Sequence, residues 1–333
     1  MLLSNVQKKL IDPIFPATLE AMRQQADLMQ ACLEKLEQIK TLAIRKDYSR
    51  IYLIASGYSW HSALVGKYVL EQLALIPTEV CFASEYQDVG LPILANSLTV
   101  VVNSSPEATE ILQTVQEKKL DVLVLTSQSH HHLPANSVLQ LPSGFIPETL
   151  FFFLFALNFV KARSTLATAQ QEQIRGDLQA IPELMASHLQ VQEDAARTLA
   201  DEWGQLPHCI VFGRGINYPV ALEGARLLTQ TGFLHAQGYP AGEFHHGPKA
   251  IISEGLPIIA IAPPNSFVYS QVYKNAIDMQ ALGATIFGVT PPNAKKAFTS
   301  ILPIPNVSEW QSPFLSLIPL QFLAYYLNRL KGG

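Results

Sequence analysis

Charge is scarce in this sequence. Asp, Glu, Lys and Arg make up 15% of the 333 residues, against roughly 25% in a typical soluble protein. Hydrophobic residues reach 48%, and the mean hydropathy is +0.17. A chain with this much apolar surface tends to bury part of it against another subunit, and we expect a homodimer.

Basic clusters and patterned cysteines are also missing. The formal net charge is −4, and no run of Lys and Arg is interleaved with aromatic residues, so a nucleic acid is not an expected partner. Cys32, Cys81 and Cys209 are an odd number of cysteines at scattered spacings. This pattern is typical of neither a disulfide framework nor a zinc site, and it indicates a reducing compartment.

Long apolar runs are absent as well. The first ten residues, MLLSNVQKKL, lack the sustained apolar core of a signal peptide. The apolar run from Phe151 to Val160 has only ten residues, whereas a membrane-spanning helix needs about 20. The sequence therefore predicts a cytoplasmic protein without a membrane partner, and this apolar run is a candidate for the dimer surface.

Two α/β patterns follow one another along the chain. In each half, short apolar runs alternate with helical stretches; the runs are Ile51–Ala55, Leu98–Val102, Val122–Thr126, Cys209–Phe212, Pro257–Ala262 and Thr285–Thr290. Strands that are nearly all apolar predict parallel sheets covered by helices on both faces. Laying Gly57 on Gly215 also aligns Glu85 with Glu243 without a gap, which indicates an internal duplication.

These patterns divide the chain into four segments. Residues 1–44 form a helical segment, in which residues 17–44 predict one long helix because they contain no Gly or Pro. Residues 45–165 form the first α/β domain and residues 205–333 the second. Residues 166–204, which are rich in Gln, Ala, Glu and Leu, predict linking helices.

The stretch from Cys209 to Lys249 has the densest set of chemical signals. Gly213 and Gly215 separate a strand from a helix, and such a turn aims free backbone N–H groups at one point, as an anion site requires. The stretch ends in the loop GEFHHGP, which crowds acid, base and donor groups around Glu243 and His246.

This stretch resembles a known family. The run GRGINYPVALEGA, followed by His235, Tyr239 and the loop AGEFHHGP, is similar to the isomerase half of glutamine:fructose-6-phosphate aminotransferases and of relatives with two sugar isomerase (SIS) domains. The resemblance extends more loosely from about Asp12 to Lys331. It implies two tandem flavodoxin-like SIS domains, a sugar phosphate as the ligand, and neither a cofactor nor a metal ion.

The resemblance also implies catalytic roles. In the family, a His of the HGP motif opens the sugar ring, and a Glu sixteen residues earlier moves a proton between C1 and C2. His246 matches the first residue, but Gln230 stands at the second position, and an amide cannot act as a general base. We therefore expect Gln230 at most to bind the substrate, and Glu223 and Glu243 are the remaining acid/base candidates. The alternatives are that Glu223 stabilises a helix N-terminus and that His246 is a hydrogen-bonded loop residue.

Turns of the first domain are the expected phosphate site. By position, Ser59 and Ser105 match family serines that hold the sugar phosphate. The family motif S-Q-S-G-E-T reads N-S-S-P-E-A here, so Pro and Ala each remove one donor, and Ser104 and Thr109 are expected to complete the site. The alternative is that Ser favours turns whatever its function. The run His130–His132 is expected to be a solvated loop and not a metal site.

Two functions remain open. The first is an isomerase or deaminase acting on a ketose or amino-sugar 6-phosphate, such as fructose 6-phosphate or glucosamine 6-phosphate, with ring opening at His246. The second is a sugar-phosphate sensor or regulatory protein that has lost catalysis, which Gln230 favours. Glutamine-dependent synthesis is not expected, because the family's glutaminase domain and its C-terminal Schiff-base Lys have no counterpart here.

Overall fold

The computed structural model describes residues 19–36, 45, 47–89, 96–103, 111, 121–127, 137–204, 206–294 and 298–331. Contacts divide the chain into two compact units. The first unit is Leu28–Gln179, and the second unit is Ala180–Gly333 together with Met1–Asp27. The division at Gln179 lies inside the segment predicted to link the two α/β domains.

The helices and strands follow the predicted alternation. Up to residue 179 they are α1 (Leu19–Arg23), α2 (Gln25–Leu36), β1 (Arg50–Ala55), α3 (Tyr58–Leu73), β2 (Thr78–Phe82), α4 (Ala83–Val89), β3 (Ser97–Asn103), β4 (Asp121–Thr126), β5 (Val138–Gln140), α5 (Phe145–Arg163) and α6 (Thr168–Gln179). From residue 180 they are α7 (Ile181–Trp203), β6 (His208–Gly213), α8 (Tyr218–Gln230), β7 (His235–Pro240), β8 (Pro257–Ile261), α9 (Tyr269–Ala281), β9 (Thr285–Thr290), β10 (Ser300–Pro303), α10 (Ser312–Leu315) and α11 (Ile318–Leu330). Short 3₁₀ turns cover Gly215–Asn217, Glu243–His245 and Pro248–Ile251.

The helix predicted over residues 17–44 is not one helix in the described part of the chain. It is α1 and α2, with a turn at Gln24 between them. The N–H of Gln24 still donates to the carbonyl of Glu20 at 3.0 Å. The region is therefore rich in residues that favour helix, but it forms two helices and not one. Residues 37–44 lie outside the described residues.

Each unit contains a five-stranded parallel sheet. The strand order is β2-β1-β3-β4-β5 in the first unit and β10-β9-β8-β6-β7 in the second, which is the same topology read from opposite edges. This identity confirms the predicted duplication. The chain changes direction across the sheet between β1 and β3 and again between β6 and β8. Ligands of such sheets bind beyond the carboxyl ends of the strands at these switch points.

The apolar run of the first unit is the core helix α5. Phe151, Phe152 and Phe155 are fully buried, and the helix is apolar on all sides, as expected of one surrounded by protein. A Cβ atom on Gly66 of α3 would lie 2.7 Å from the ring of Phe152, so this glycine lets the two helices approach closely. The interpretation of the run as a dimer surface is therefore wrong, because the unit's own core covers it.

Among the described residues, helix α5 is long enough and apolar enough to span a membrane. Its most apolar window is 78% buried inside the protein. A core helix of an α/β unit passes the same test of length and composition, so α5 carries no argument for a membrane partner.

Candidate functional site

The predicted phosphate turn of the first unit follows β1. Gly57 has a φ of +56°, a left-handed backbone that glycine adopts more easily than other residues. This turn lets α3 begin at Tyr58, so that Ser59 is the second residue of the helix. The N–H of Ser59 donates to the carbonyl of Ser56 at 3.1 Å. Ser59 therefore lies at the switch point of the first sheet.

The hydroxyl of Ser59 contacts a buried carboxylate, that of Glu148. Glu148 is 2% exposed and belongs to the first turn of α5. Ser59 donates to its Oε1 at 3.0 Å. The hydroxyl of Ser62 lies 2.6 Å from Oε2 and 2.9 Å from the carbonyl oxygen of Ser59, so its single hydrogen has two acceptors within reach, of which Oε2 is the nearer. The N–H of Gly144 lies 3.4 Å from Oε1. Glu148 is thus held by three donors from two helix N-termini. The sequence places it at the end of a strand-end turn, Ser143–Glu148, but does not single it out as a site residue.

A small cavity lies against Glu148. Its volume is about 10 Å³, close to the space that one water molecule requires. The lining residues come from the carboxyl ends of three neighbouring strands and the turns after them: Val102, Leu125, Thr126, Ser127, Leu141, Pro142, Ser143 and Glu148. Among the described residues of this lining, Glu148 is the one with an ionisable side chain.

Several predicted site residues lie outside the described residues. These are Ser104, Ser105 and Thr109, and the histidine run 130–132. Their roles stay predictions. Within the described ranges, no three His, Cys, Asp or Glu side chains lie close enough together to hold a metal ion.

The corresponding turn of the second unit follows β6. A Cβ atom on Gly213 would lie 2.2 Å from the carbonyl oxygen of Asn217, so only glycine fits there. Gly215 has a φ of +57° and begins the 3₁₀ turn that leads into α8. The guanidinium of Arg214 packs against Gly242, the first residue of the loop GEFHHGP. The turn after β6 and this loop are therefore neighbours.

Glu223 lies in the middle of α8 and is paired with Arg226. The carboxylate of Glu223 is 3% exposed. It accepts two hydrogen bonds from Arg226, at 2.9 Å from Nε and 2.7 Å from Nη2. Arg226 also donates to the side-chain oxygen of Gln230. The first turn of α8 contains no acidic residue, so the interpretation of Glu223 as a carboxylate of the helix N-terminus is wrong.

Replacing Arg226 with Ala is expected to lower the free energy of unfolding by roughly 3 kcal/mol, because the buried carboxylate of Glu223 loses its charged partner. Urea denaturation monitored by circular dichroism measures this loss. Its size would show that the Glu223 side chain is held as part of the structure.

Arg23→Ala is the matched control. Arg23 also makes two bonds to a buried carboxylate, that of Glu193, at 3.0 and 2.8 Å. Its side chain is 50% exposed, and the hydroxyl of Tyr326 donates to the same carboxylate at 2.6 Å. Since Glu193 keeps that donor and Arg23 is solvent-exposed, we expect a clearly smaller loss than in Arg226→Ala. Equal losses in the two variants would contradict the importance of Arg226.

The loop after β7 presents Glu243 and His246 to solvent. Both side chains are exposed, and the N–H of His246 donates to the carbonyl of Glu243 at 2.9 Å. Between them, Phe244 is fully buried in the core of the second unit. His245 lies 3.7 Å from a carboxylate oxygen of Asp278. Phe244 therefore anchors the loop while Glu243 and His246 stay accessible.

The candidate residues thus differ sharply in environment. Glu223 is buried and ion-paired, and Gln230 accepts from the same guanidinium. Glu243 and His246 are one 3₁₀ turn apart in an exposed loop. Glu223 and Arg226 are three residues apart on one face of a helix, a spacing at which side chains meet, so the sequence already indicates that they are neighbours, although it does not single out their ion pair.

Comparison with known proteins identifies the family and several relatives of this chain. The family model for the SIS domain matches residues 44–158 and 205–328. A glutamine–fructose-6-phosphate aminotransferase from Nostoc sp. is 36% identical over 313 residues, which cover 86% of this chain and 50% of the relative. The same enzyme from Gloeobacter violaceus is 37% identical over 304 residues, with the same coverage. The chain spans about half the length of these curated relatives.

Solved structures show the same fold. The C-terminal domain of the glucosamine-fructose-6-phosphate aminotransferase from Francisella tularensis superposes with a TM-score of 0.84 at 22% identity, covering 93% of this chain and 95% of that one. A glucosamine-6-phosphate deaminase from Thermotoga maritima superposes with a TM-score of 0.70 at 19% identity, covering 94% of each chain. At such identities the superpositions establish the architecture alone. The two matches to the SIS family model, taken with this architecture, confirm the prediction of two tandem SIS domains.

Proposed function

The chain belongs to the family of proteins with SIS domains, and on this premise we propose that it binds a sugar 6-phosphate and catalyses its isomerisation or deamination. The observation that carries this proposal is the 36% identity, over 86% of the chain, to an aminotransferase named for fructose 6-phosphate. Because the match covers only half of that relative, the proposal is limited to the sugar phosphate and leaves out glutamine. The substrates proposed are of the fructose 6-phosphate or glucosamine 6-phosphate type, and no cofactor is included.

His246 is the residue proposed to open the sugar ring. Ring opening removes the proton of the anomeric hydroxyl and returns a proton to the ring oxygen. An imidazole suits this step because one ring nitrogen accepts a proton while the other donates one. The side chain of His246 is exposed, and the buried Phe244 holds its loop in place. These features support the assignment made from the HGP motif.

Glu243 is the residue proposed to move the proton between C1 and C2. This step passes through an enediol and requires a base that is able to accept a proton. Glu223 is occupied by the guanidinium of Arg226, and the amide of Gln230 is not basic. The exposed carboxylate of Glu243 lies one 3₁₀ turn before His246, and we favour it over Glu223 for this reason.

Turnover by the native protein tests the proposal directly. One assay follows the release of ammonia and fructose 6-phosphate from glucosamine 6-phosphate and water. A second follows the exchange of a C1 proton of fructose 6-phosphate in heavy water. We expect at least one of these reactions, together with binding of the same sugar in a calorimetric titration. Absence of binding to both sugars would show that the sugar-phosphate proposal is wrong.

A sugar-phosphate sensor without catalysis is the second candidate. It is favoured by the amide of Gln230 at the position of the family base and by the engagement of Glu223 with Arg226. The two candidates differ in a single result. A native protein that binds glucosamine 6-phosphate or fructose 6-phosphate but shows neither ammonia release nor proton exchange is the sensor.

We also propose a cytoplasmic homodimer. The support is the low share of charged residues, 15%, together with the positive mean hydropathy. The apolar run of α5 gives no support, because it is buried inside the first unit. Sedimentation equilibrium at micromolar concentration is expected to give about twice the chain mass of 36.7 kDa. A single species at the mass of one chain would exclude the dimer.

A further inference from the structure

The carboxylate of Glu148 lies where two helices of the first unit begin. Ser59 and Ser62 belong to the first two turns of α3, and Gly144 precedes the first residue of α5. Helix N-termini carry a partial positive charge and unpaired N–H groups, and they bind anions. The hydroxyls of Ser59 and Ser62 and the N–H of Gly144 add three donors around the carboxylate. Glu148 therefore occupies a site with the chemistry of an anion site.

The same position is the one assigned to a phosphate. Ser59 is the member of the predicted phosphate site that the structure describes, and it donates its hydroxyl hydrogen to Glu148 at 3.0 Å. A hydroxyl has a single hydrogen to donate. Ser59 therefore cannot donate to a phosphate oxygen while it donates to the carboxylate. A phosphate bound at Ser59 would also lie next to the carboxylate of Glu148, and the two negative charges would repel each other.

We propose that Glu148 is a built-in competitor for the sugar phosphate. Its carboxylate fills the anion site of the first unit, and the phosphate of the substrate binds at Ser59 only after the carboxylate has left. This inference rests on the proposed function, because it concerns the phosphate of the same substrate. Glu148 thereby sets how strongly the site takes a phosphate.

The surroundings of Glu148 indicate that a phosphate would replace the carboxylate at the three donors and would not bind alongside it. The cavity that Glu148 lines has a volume of about 10 Å³, which is near the lower limit for one water molecule. A phosphate group has five non-hydrogen atoms and would need the positions next to Ser59 and Ser62 that the carboxylate already occupies. Glu148 is 2% exposed, so its carboxylate must move, or be removed, before a phosphate reaches the three donors.

Removal of the carboxylate is the test, with inorganic phosphate as the probe. We expect Glu148→Ala to bind inorganic phosphate about tenfold more tightly than the native protein, or tighter still, because the donors are released and the like charge is gone. Calorimetric titration measures the affinity. Thr149→Ala is the matched control: Thr149 is the next residue of α5 and is fully buried, so its removal opens space nearby without removing an anion, and no gain is expected.

Two further variants complete the design. Adding Ser62→Ala to Glu148→Ala should weaken the gained phosphate binding, since one of the three donors is then lost. If Glu148→Ala does not fold, Glu148→Gln decides, because a neutral amide accepts weaker hydrogen bonds than a carboxylate and is displaced by phosphate more easily; a gain of several-fold is expected. Folded Glu148 variants that bind phosphate no more tightly than the native protein would overturn the proposal.

The outcome is distinguishable from that of the proposed function. Native protein that binds glucosamine 6-phosphate, with no gain of phosphate binding in the Glu148 variants, leaves the function in place and rejects Glu148 as a competitor. A gain of phosphate binding in the variants, with no sugar phosphate bound by the native protein or by the variants, supports an anion site filled by Glu148 and rejects the function.

Discussion

Replacing His246 with Ala is expected to lower the turnover number for glucosamine 6-phosphate or fructose 6-phosphate by about 10² to 10⁴, the range that a positioned acid or base contributes. The expected loss is large because ring opening precedes the movement of a proton between C1 and C2, so a closed ring gives the base no substrate. The effect should fall on kcat more than on binding of the phosphate. Ammonia release at saturating substrate measures it.

His208→Ala is the control for this variant. His208 is also exposed, but it is the first residue of β6, at the amino edge of the sheet, where ligands of parallel sheets do not bind. We expect its turnover to match that of the native protein. Since both side chains are exposed, neither variant should shift the melting temperature by more than a few degrees. Retention of the native kcat by His246→Ala would remove His246 from the mechanism.

The parallel sheets were predictable because their signal is local. Runs such as Val122–Thr126 are apolar at nearly every position, as a strand covered on both faces requires. Each run is followed by a turn with glycine or short polar residues, as at Gly57 and Gly215, where the positive φ confirms the need for glycine. Repetition of the pattern in the second half then predicted the second sheet and its topology.

Glu148 was not predictable in the same way. Its two hydroxyl partners, Ser59 and Ser62, lie 89 and 86 residues earlier in the chain. Their contact depends on how α3 packs against α5, which the close approach of Gly66 to Phe152 makes possible. A single acidic residue at the start of an otherwise apolar helix was the available signal, and it indicates only that the carboxylate favours a helix N-terminus.

The interpretation of the apolar run of α5 as a dimer surface was wrong for a related reason. A run of ten apolar residues states that a surface must be buried, but it does not say whether the chain's own core or a second chain covers it. Phe151 and its neighbours are covered within the first unit. The pairing of Glu223 with Arg226 differs, because both residues lie on one helix three positions apart and their contact follows from helix geometry alone.

Replacing Glu243 with Gln is expected to lower the rate of C1 proton exchange on fructose 6-phosphate by about 10² to 10⁴. The amide keeps the shape of the side chain and removes its basicity. Glu254→Gln is the control, because Glu254 is exposed too but lies in the loop that leads into the amino end of β8. Its exchange rate should equal that of the native protein. An unchanged rate in Glu243→Gln would contradict the assignment of this base.

Gln230→Glu tests the same assignment from the other side. Arg226 already donates to residue 230 and holds Glu223, so a new carboxylate there would be paired with the guanidinium. Such pairing stabilises the charged form of the carboxylate and makes it a weaker base. We therefore expect the exchange rate of Gln230→Glu to stay within about tenfold of the native rate. A rise of about 10² or more would show that the base was lost from this position and not replaced by Glu243.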